Sequence, residues 1–307
     1  MVTAMNVQKF SAGVIAATFS IDAREAARAA RAAGFSALQF DAVTPALDLT
    51  ELSQTGRREF RYVLSSNDQQ LTSLRVDVGP KGFGPGADID RLLSRFEKVI
   101  DAAKGLGAPL VCVEVGPLPE PAVAAKPKPR VDPAQAGLII IPTMSAPDPE
   151  PQDSRPVPGP DPALLAHVDA ALFELGVRAD RIGVTLALRS ELSSFAALDR
   201  AIAAARCPWF GVDLDPVAML RDAWSADEIF SRFGDLIRHV RARDATAGSD
   251  RRTRPAIIGQ GSTDWNELLA NLDSAGYRGW LTIDPLELPD RIAAAVAGAK
   301  LLKTSAP

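Results

Sequence analysis

Ionisable residues close several short apolar runs of this sequence, often at two-residue spacing. Asp213 and Asp215 end FGVDLD, His239 and Arg241 lie in LIRHVRA, and Arg75 and Asp77 lie in LRVDV. Glu114 follows LVCV, Arg189 follows VTLAL, Asp284 follows WLTI, and Gln39 and Asp41 lie in LQFD. In an extended chain such spacing puts both members of a pair on one face. A carboxylate accepts hydrogen bonds and, at a suitable pKa, moves protons, whereas a guanidinium is a permanent cation whose fork of donors suits carboxylate or phosphate. His167 and His239 are the only histidines, so a metal site built on three imidazoles is excluded. Cys112 and Cys207 sit in apolar, strand-like text and read as buried, reduced thiols.

These residues need elements to hold them. Eight apolar runs, near 11–16, 37–41, 71–78, 110–115, 182–188, 210–214, 236–242 and 280–284, alternate with helical segments at 22–33, 51–65, 90–106, 162–179, 194–205, 227–233, 265–275 and 291–302. Asp22, Asp161 and Asp264 stand at helix starts, and Gly34, Gly107, Gly176 and Gly276 at helix ends. Alternation of strand and helix marks βαβ units and a parallel sheet, and eight units predict an α/β (β/α)8 TIM barrel as a single domain over residues 1–307. Residues 117–162 hold 14 of the 24 prolines and read as an insertion after strand four, at the catalytic end of such a barrel. Its apolar run GLIIIPTM (137–144) either packs on the barrel as an extended cover or serves as a lid or an oligomer contact.

Alternation fixes which side chains point inward. In the fifth run Ile182, Val184, Leu186 and Leu188 face the helices, leaving Gly183, Thr185, Ala187 and Arg189 inward. The same reading turns Asp213, Asp215, His239, Arg241, Thr282 and Asp284 inward, together with Gln39, Asp41, Arg75, Asp77 and Glu114 from earlier strands. Strand C-terminal ends carry the working residues of this barrel type, so a charged ring marks the site. His239 lies one layer below that ring and reads as a core histidine. Arg251, Arg252 and Arg254, beside a Gly259–Gly261 turn ahead of a helix, form an environment suited to an anion. GPKGFGPG (79–86) lacks the phosphate-loop pattern and reads as a flexible loop at the mouth.

The stretches RIGVTLALRSE, WFGVDLDPVAML, LIRHVRARDA and IIGQGSTDWNELLANLDSAGYRGWLTIDP, and less specifically RLLSRFEKVIDAAKGLGAPLVCVEVG, resemble the sugar phosphate isomerase/epimerase family of xylose-isomerase-like TIM barrels. The resemblance spans nearly the whole chain outside the proline-rich insertion. It implies a divalent metal held by Glu, Asp, His and Glu at the ends of strands five to eight. Those positions carry Arg189, Asp215, Arg241 and Asp284 here, and Ala218 stands where the family usually has a further His. A guanidinium has no lone pair for a metal, so the sequence departs from the family at its ligands. Glu191, two residues beyond Arg189, is the one replacement ligand within reach.

The resemblance therefore implies a divergent barrel that binds a small sugar-like or anionic ligand, with no cofactor and without the family's metal. The candidate catalytic residues are Glu114, Asp215 and Asp284, and the candidate ligand-binding residues are Arg75, Asp77, Arg189, Arg241 and Asp244. Arginines in the metal's place would fork onto the neighbouring carboxylates. Two alternatives stand beside this reading. One is a catalytically silent binding or partner protein on the same fold; the other is a metal-dependent isomerase completed by Glu191. A net charge of −4 and the scarcity of histidine argue against a nucleic-acid partner and an AP-endonuclease-like activity. No run of 18 apolar residues and no signal-peptide pattern is present, so a cytoplasmic protein without a membrane partner is expected, as a monomer or a homo-oligomer.

Overall fold

Helices begin where the sequence supplies a side-chain oxygen for their unpaired N–H groups. Asp22, Ser53, Asp88, Asp161, Ser194, Asp215, Ser225 and Asp264 accept such bonds ahead of α1 (Ala23–Ala32), α2 (Gln54–Ser65), α3 (Ile89–Leu106), α4 (Pro162–Ile182), α5 (Phe195–Ala205), α6 (Pro216–Asp222), α7 (Ala226–Phe233) and α8 (Trp265–Ser274). Asp290 caps α9 (Arg291–Thr304) in the same manner through the Ala293 N–H. A computed structural model describes residues 10–79, 81–120, 161–191, 193–249 and 252–304. The proline-rich insertion lies outside the described residues from 121 to 160, and so does Arg251.

Eight parallel strands close into a barrel: β1 (Ser11–Ile15), β2 (Ala37–Asp41), β3 (Gln70–Asp77), β4 (Leu110–Gly116), β5 (Thr185–Ser190), β6 (Phe210–Leu214), β7 (Ile237–Ala242) and β10 (Trp280–Ile283). The order around the barrel is β1-β10-β7-β6-β5-β4-β3-β2, the expected (β/α)8 topology. Outward apolar side chains such as Leu186, Leu188, Val212, Val240 and Ile283 are buried in one cluster with helix residues such as Phe96, Val99, Leu172 and Leu198. No helix among the described residues is long and apolar enough to cross a membrane.

The register carries the charged residues to one end. It pairs Asp41 with Arg75, Asp77 with Glu114, Glu114 with Arg189 and Thr282 with Arg241. Three differences from the sequence expectation matter for the site. Helix α4 runs on to Ile182 and stops at Gly183 with φ +74°, so β5 begins at Thr185 rather than at Ile182. A left-handed residue breaks the helix there, and glycine adopts that conformation without steric cost. The short helix α6 follows directly from Asp215 and carries a proline in its first turn. A hairpin of β8 (Asp244–Ala247) and β9 (Thr253–Ala256) rises after β7.

Candidate functional site

The C-terminal end of the barrel holds a ring of interlocked charges. Arg189 donates from Nη1 to Asp215 Oδ2 at 2.6 Å and from Nη2 to Glu114 Oε2 at 2.8 Å. Arg241 Nη2 bonds the other Glu114 oxygen, and its Nε lies 3.5 Å from Asp284 Oδ2. Arg75 meets Asp41 Oδ1 at 2.5 Å, with Glu114 at 3.8 Å and Asp284 at 3.7 Å. Arg243 grips Asp215 with Nε at 2.9 Å and Nη2 at 2.6 Å, and reaches Glu287 at 3.0 Å. Asp215 also accepts the Val217 and Ala218 N–H groups at the start of α6. One carboxylate thus caps a helix and binds two guanidinium groups.

The ring is buried, and its electrostatics follow from that. Burial pushes the Glu114 carboxyl up, but Arg241, Arg189 and Arg75 outweigh it and hold the group down at about 2. Burial likewise opposes ionisation of Asp215, and Arg243 and Arg189 outweigh it to hold that carboxyl far below the usual range. Arg241 loses hydration but gains more from Glu114 and Asp284, which raises its pKa further. All three side chains are charged at neutral pH.

The structure brings Arg75, Glu114, Arg189, Asp215, Arg241 and Asp284 together in this network. Asp77 stays at its exposed rim, where Oδ1 accepts the Gly79 N–H at 2.7 Å. Asp244 points elsewhere. It is buried, and its Oδ2 accepts N–H bonds from Gly259 (2.9 Å), Gly261 (3.1 Å) and the Trp265 indole (3.1 Å), while Oδ1 takes those of Ala245 and Thr263. The anion niche expected at the Gly259–Gly261 turn therefore holds a carboxylate of the chain itself. A Cβ on Gly261 would lie 2.1 Å from Asp244 Oδ1, which explains the glycine.

Arg243 and Glu287 escape the sequence reading of the ring, whereas Glu191, weighed there as a replacement ligand, enters it in another role. Arg243 continues the His239 and Arg241 alternation, a signal present in the text but lying one residue past the end of β7. Glu287 sits in a loop where no periodicity applies. Glu191 does bend inward, with Oε1 2.5 Å from Arg189 and Oε2 3.2 Å from Arg221. It joins the ring as a partner of guanidinium groups.

These contacts test whether the family's divalent metal fits. Of the four ligand positions that the family resemblance implies, two carry Arg189 and Arg241, and Asp215 and Asp284 at the others are both in contact with guanidinium groups. A divalent ion there would face permanent cations and would have to displace them from buried carboxylates. The residues present do not fit that metal.

A second polar layer lies beneath the arginines. Asp213 Oδ1 is 2.6 Å from His239 Nδ1, and His239 Nε2 is 2.8 Å from Thr282 Oγ1. Gln39 Nε2 reaches Ser73 Oγ at 2.8 Å and Cys112 Sγ at 3.2 Å. Below this layer a cavity of about 360 Å³ opens at the strand N-terminal ends, lined by residues including Thr72, Leu110, Thr185, His239, Tyr277 and Trp280.

A family model described as xylose isomerase-like TIM barrel matches residues 27–305. A xylose isomerase domain protein from Planctomyces limnophilus superposes with a TM-score of 0.68 at 16% identity, covering 97% of this chain and 96% of that one. A xylose isomerase-like TIM barrel protein from Mycobacterium smegmatis, solved in complex with magnesium, gives 0.66 at 15% identity with 96% of each chain covered. The 3-keto-D-glucoside 4-epimerase of E. coli gives 0.66 at 17% identity over 96% of this chain and all of its own (100%). At such identities these likenesses show the fold. A search of curated proteins finds no match to this sequence.

Proposed function

The chain belongs to the xylose isomerase-like TIM barrel family, and from that premise we propose that it is a metal-independent member that binds a small polyhydroxylated molecule at the C-terminal mouth without turning it over. One observation carries the reading: Arg189 and Arg241 stand in the metal's place with their guanidinium groups engaged by Glu114, Asp215 and Asp284. A buried carboxylate held at about 2, as Glu114 is, has no proton to donate at neutral pH and is a weak base. Asp215 is held lower still, so neither group is suited to the proton transfers of epimerisation.

The charge balance favours hydroxyl groups over phosphate. Arg75, Arg189, Arg221, Arg241 and Arg243 face Asp41, Glu114, Glu191, Asp215, Asp222, Asp284 and Glu287, five cations against seven anions. Most arginine donors are engaged by protein carboxylates, with Arg189 Nε and Arg241 Nε left without a hydrogen-bond partner, whereas rim groups such as Asp77 and Glu287 are exposed acceptors for ligand hydroxyls. The epimerases among the structural neighbours support a sugar-like shape. We assign the protein to the cytoplasm, a reading supported by its two free thiols, Cys112 and Cys207.

Calorimetric titration with pentoses, hexoses, inositols and their phosphate esters tests this, paired with NMR of each mixture for conversion. The expected result is saturable binding of an unphosphorylated polyol, unchanged by magnesium or manganese ions and without product. Isomer formation that depends on either ion, or preferred binding of a phosphate ester, overturns it.

A further inference from the structure

We propose that the interior of the barrel, one layer below the arginines, is a binding site for one zinc-class divalent ion held by Cys112, Asp213 and His239. The three residues come from β4, β6 and β7, all are buried, and one potential ligand atom of each lies within 4.8 Å of the others. This position is distinct from the ring of Arg189, Asp215, Arg241 and Asp284. It uses the inward residues two positions before Glu114, Asp215 and Arg241.

Two further observations point to a missing cation. Asp213 is 3% exposed and Gln39 is 0% exposed, yet Asp213 Oδ2 and Gln39 Oε1 are buried acceptors with no hydrogen-bond partner. Gln39 touches the cluster through Nε2, 3.2 Å from Cys112 Sγ and 3.4 Å from His239 Nε2. Turning its amide puts the oxygen where Nε2 now lies, 3.2 Å from Cys112 Sγ. Asp213 Oδ1 and His239 Nδ1 now share a proton at 2.6 Å. An ion taking that proton's place leaves His239 as the tautomer protonated on Nε2, which donates to Thr282 Oγ1, 2.8 Å away.

Charge and ligand softness define the ion. A free thiol carries its proton at neutral pH. Binding releases that one proton, and the thiolate and carboxylate then neutralise a divalent ion within the interior. A set of sulfur, nitrogen and oxygen donors selects zinc-class ions over magnesium. The base cavity of about 360 Å³, which His239 lines, supplies the route.

Cobalt loading of the full-length protein tests the proposal, because a thiolate ligand gives cobalt(II) a charge-transfer absorption that nitrogen and oxygen ligands do not. Wild type and Cys207→Ser, in which Cys112 is the only thiol, are each loaded, desalted and assayed for bound metal. The expected result is about one ion per chain with the charge-transfer band in both proteins, and at least tenfold lower retention in Cys112→Ser and Asp213→Asn. No band in wild type, a band lost in Cys207→Ser, or metal retained without a band overturns it. The deciding readouts leave Cys112 intact, so a folding defect in the Cys112 variant does not blur them.

Discussion

Arg241 and His239 lie two residues apart on β7, both inward and both about 2% exposed, yet they head layers built on opposite principles. Around Arg241, fixed charges satisfy fixed charges: Glu114 alone meets Arg241, Arg189 and Arg75. Around His239 the groups are mostly neutral, the bonds are single, and buried acceptors remain on Asp213 and Gln39. Burial raises the free energy of any unpaired charge, so the upper layer is stable only as a complete set. Both layers keep buried atoms unpaired, the donors Arg189 Nε and Arg241 Nε above and the acceptors Asp213 Oδ2 and Gln39 Oε1 below.

Removing one cation from the upper layer should have the largest effect. Arg241→Ala strands Glu114 and Asp284 in a buried site and is expected to lower stability by roughly 3–5 kcal/mol, read from urea unfolding. An unchanged midpoint would break the contrast, because the ring would then be mere decoration. Acid should come next. Glu114 protonates near 4.5 in an ordinary environment but near 2 when folded. The unfolded chain therefore takes up the proton first as pH falls, and the stabilisation present above 4.5 disappears between about 4.5 and 2. That one group accounts for about 3 kcal/mol, and Glu114→Gln should flatten this part of a stability-against-pH curve.

The smallest change expected is in the lower layer. Thr282→Val removes the hydroxyl beside His239 Nε2 while nearly preserving shape, and should cost about 1–2 kcal/mol in the metal-free protein. A loss as large as that of Arg241→Ala would mean that the His239 layer is as fully committed as the ring above it. Measuring both variants in one denaturant series sharpens the comparison directly.

Much of this arrangement was legible. The alternation of residues 184–189 turned Arg189 inward even though the strand starts at Thr185, because parity survives a shift in where a strand begins. Caps at Asp22, Asp161 and Asp264 marked helix starts, since a helix N-terminus needs an acceptor wherever it lies. Asp244 shows the limit. Its sequence position beside the ring resembles that of a ligand-binding residue, but its partners Gly259, Gly261 and Trp265 come from a loop whose path no local pattern predicts. Glu287 was missed for a similar reason, lying in a loop, and Arg243 because it stands one residue past the end of β7 although its parity holds.

By itself the sequence determined the barrel, the inward face of each strand and the arginines at the ends of the fifth and seventh barrel strands, because these depend on local periodicity and on residue chemistry. Tertiary structure alone decided which carboxylate each guanidinium grips, that Asp244 fills the glycine-turn niche, and that Asp213 and Gln39 keep unpaired oxygens. Those outcomes depend on distances between strands and loops far apart in the chain, and hydrogen bonds and ion pairs are decided within fractions of an ångström.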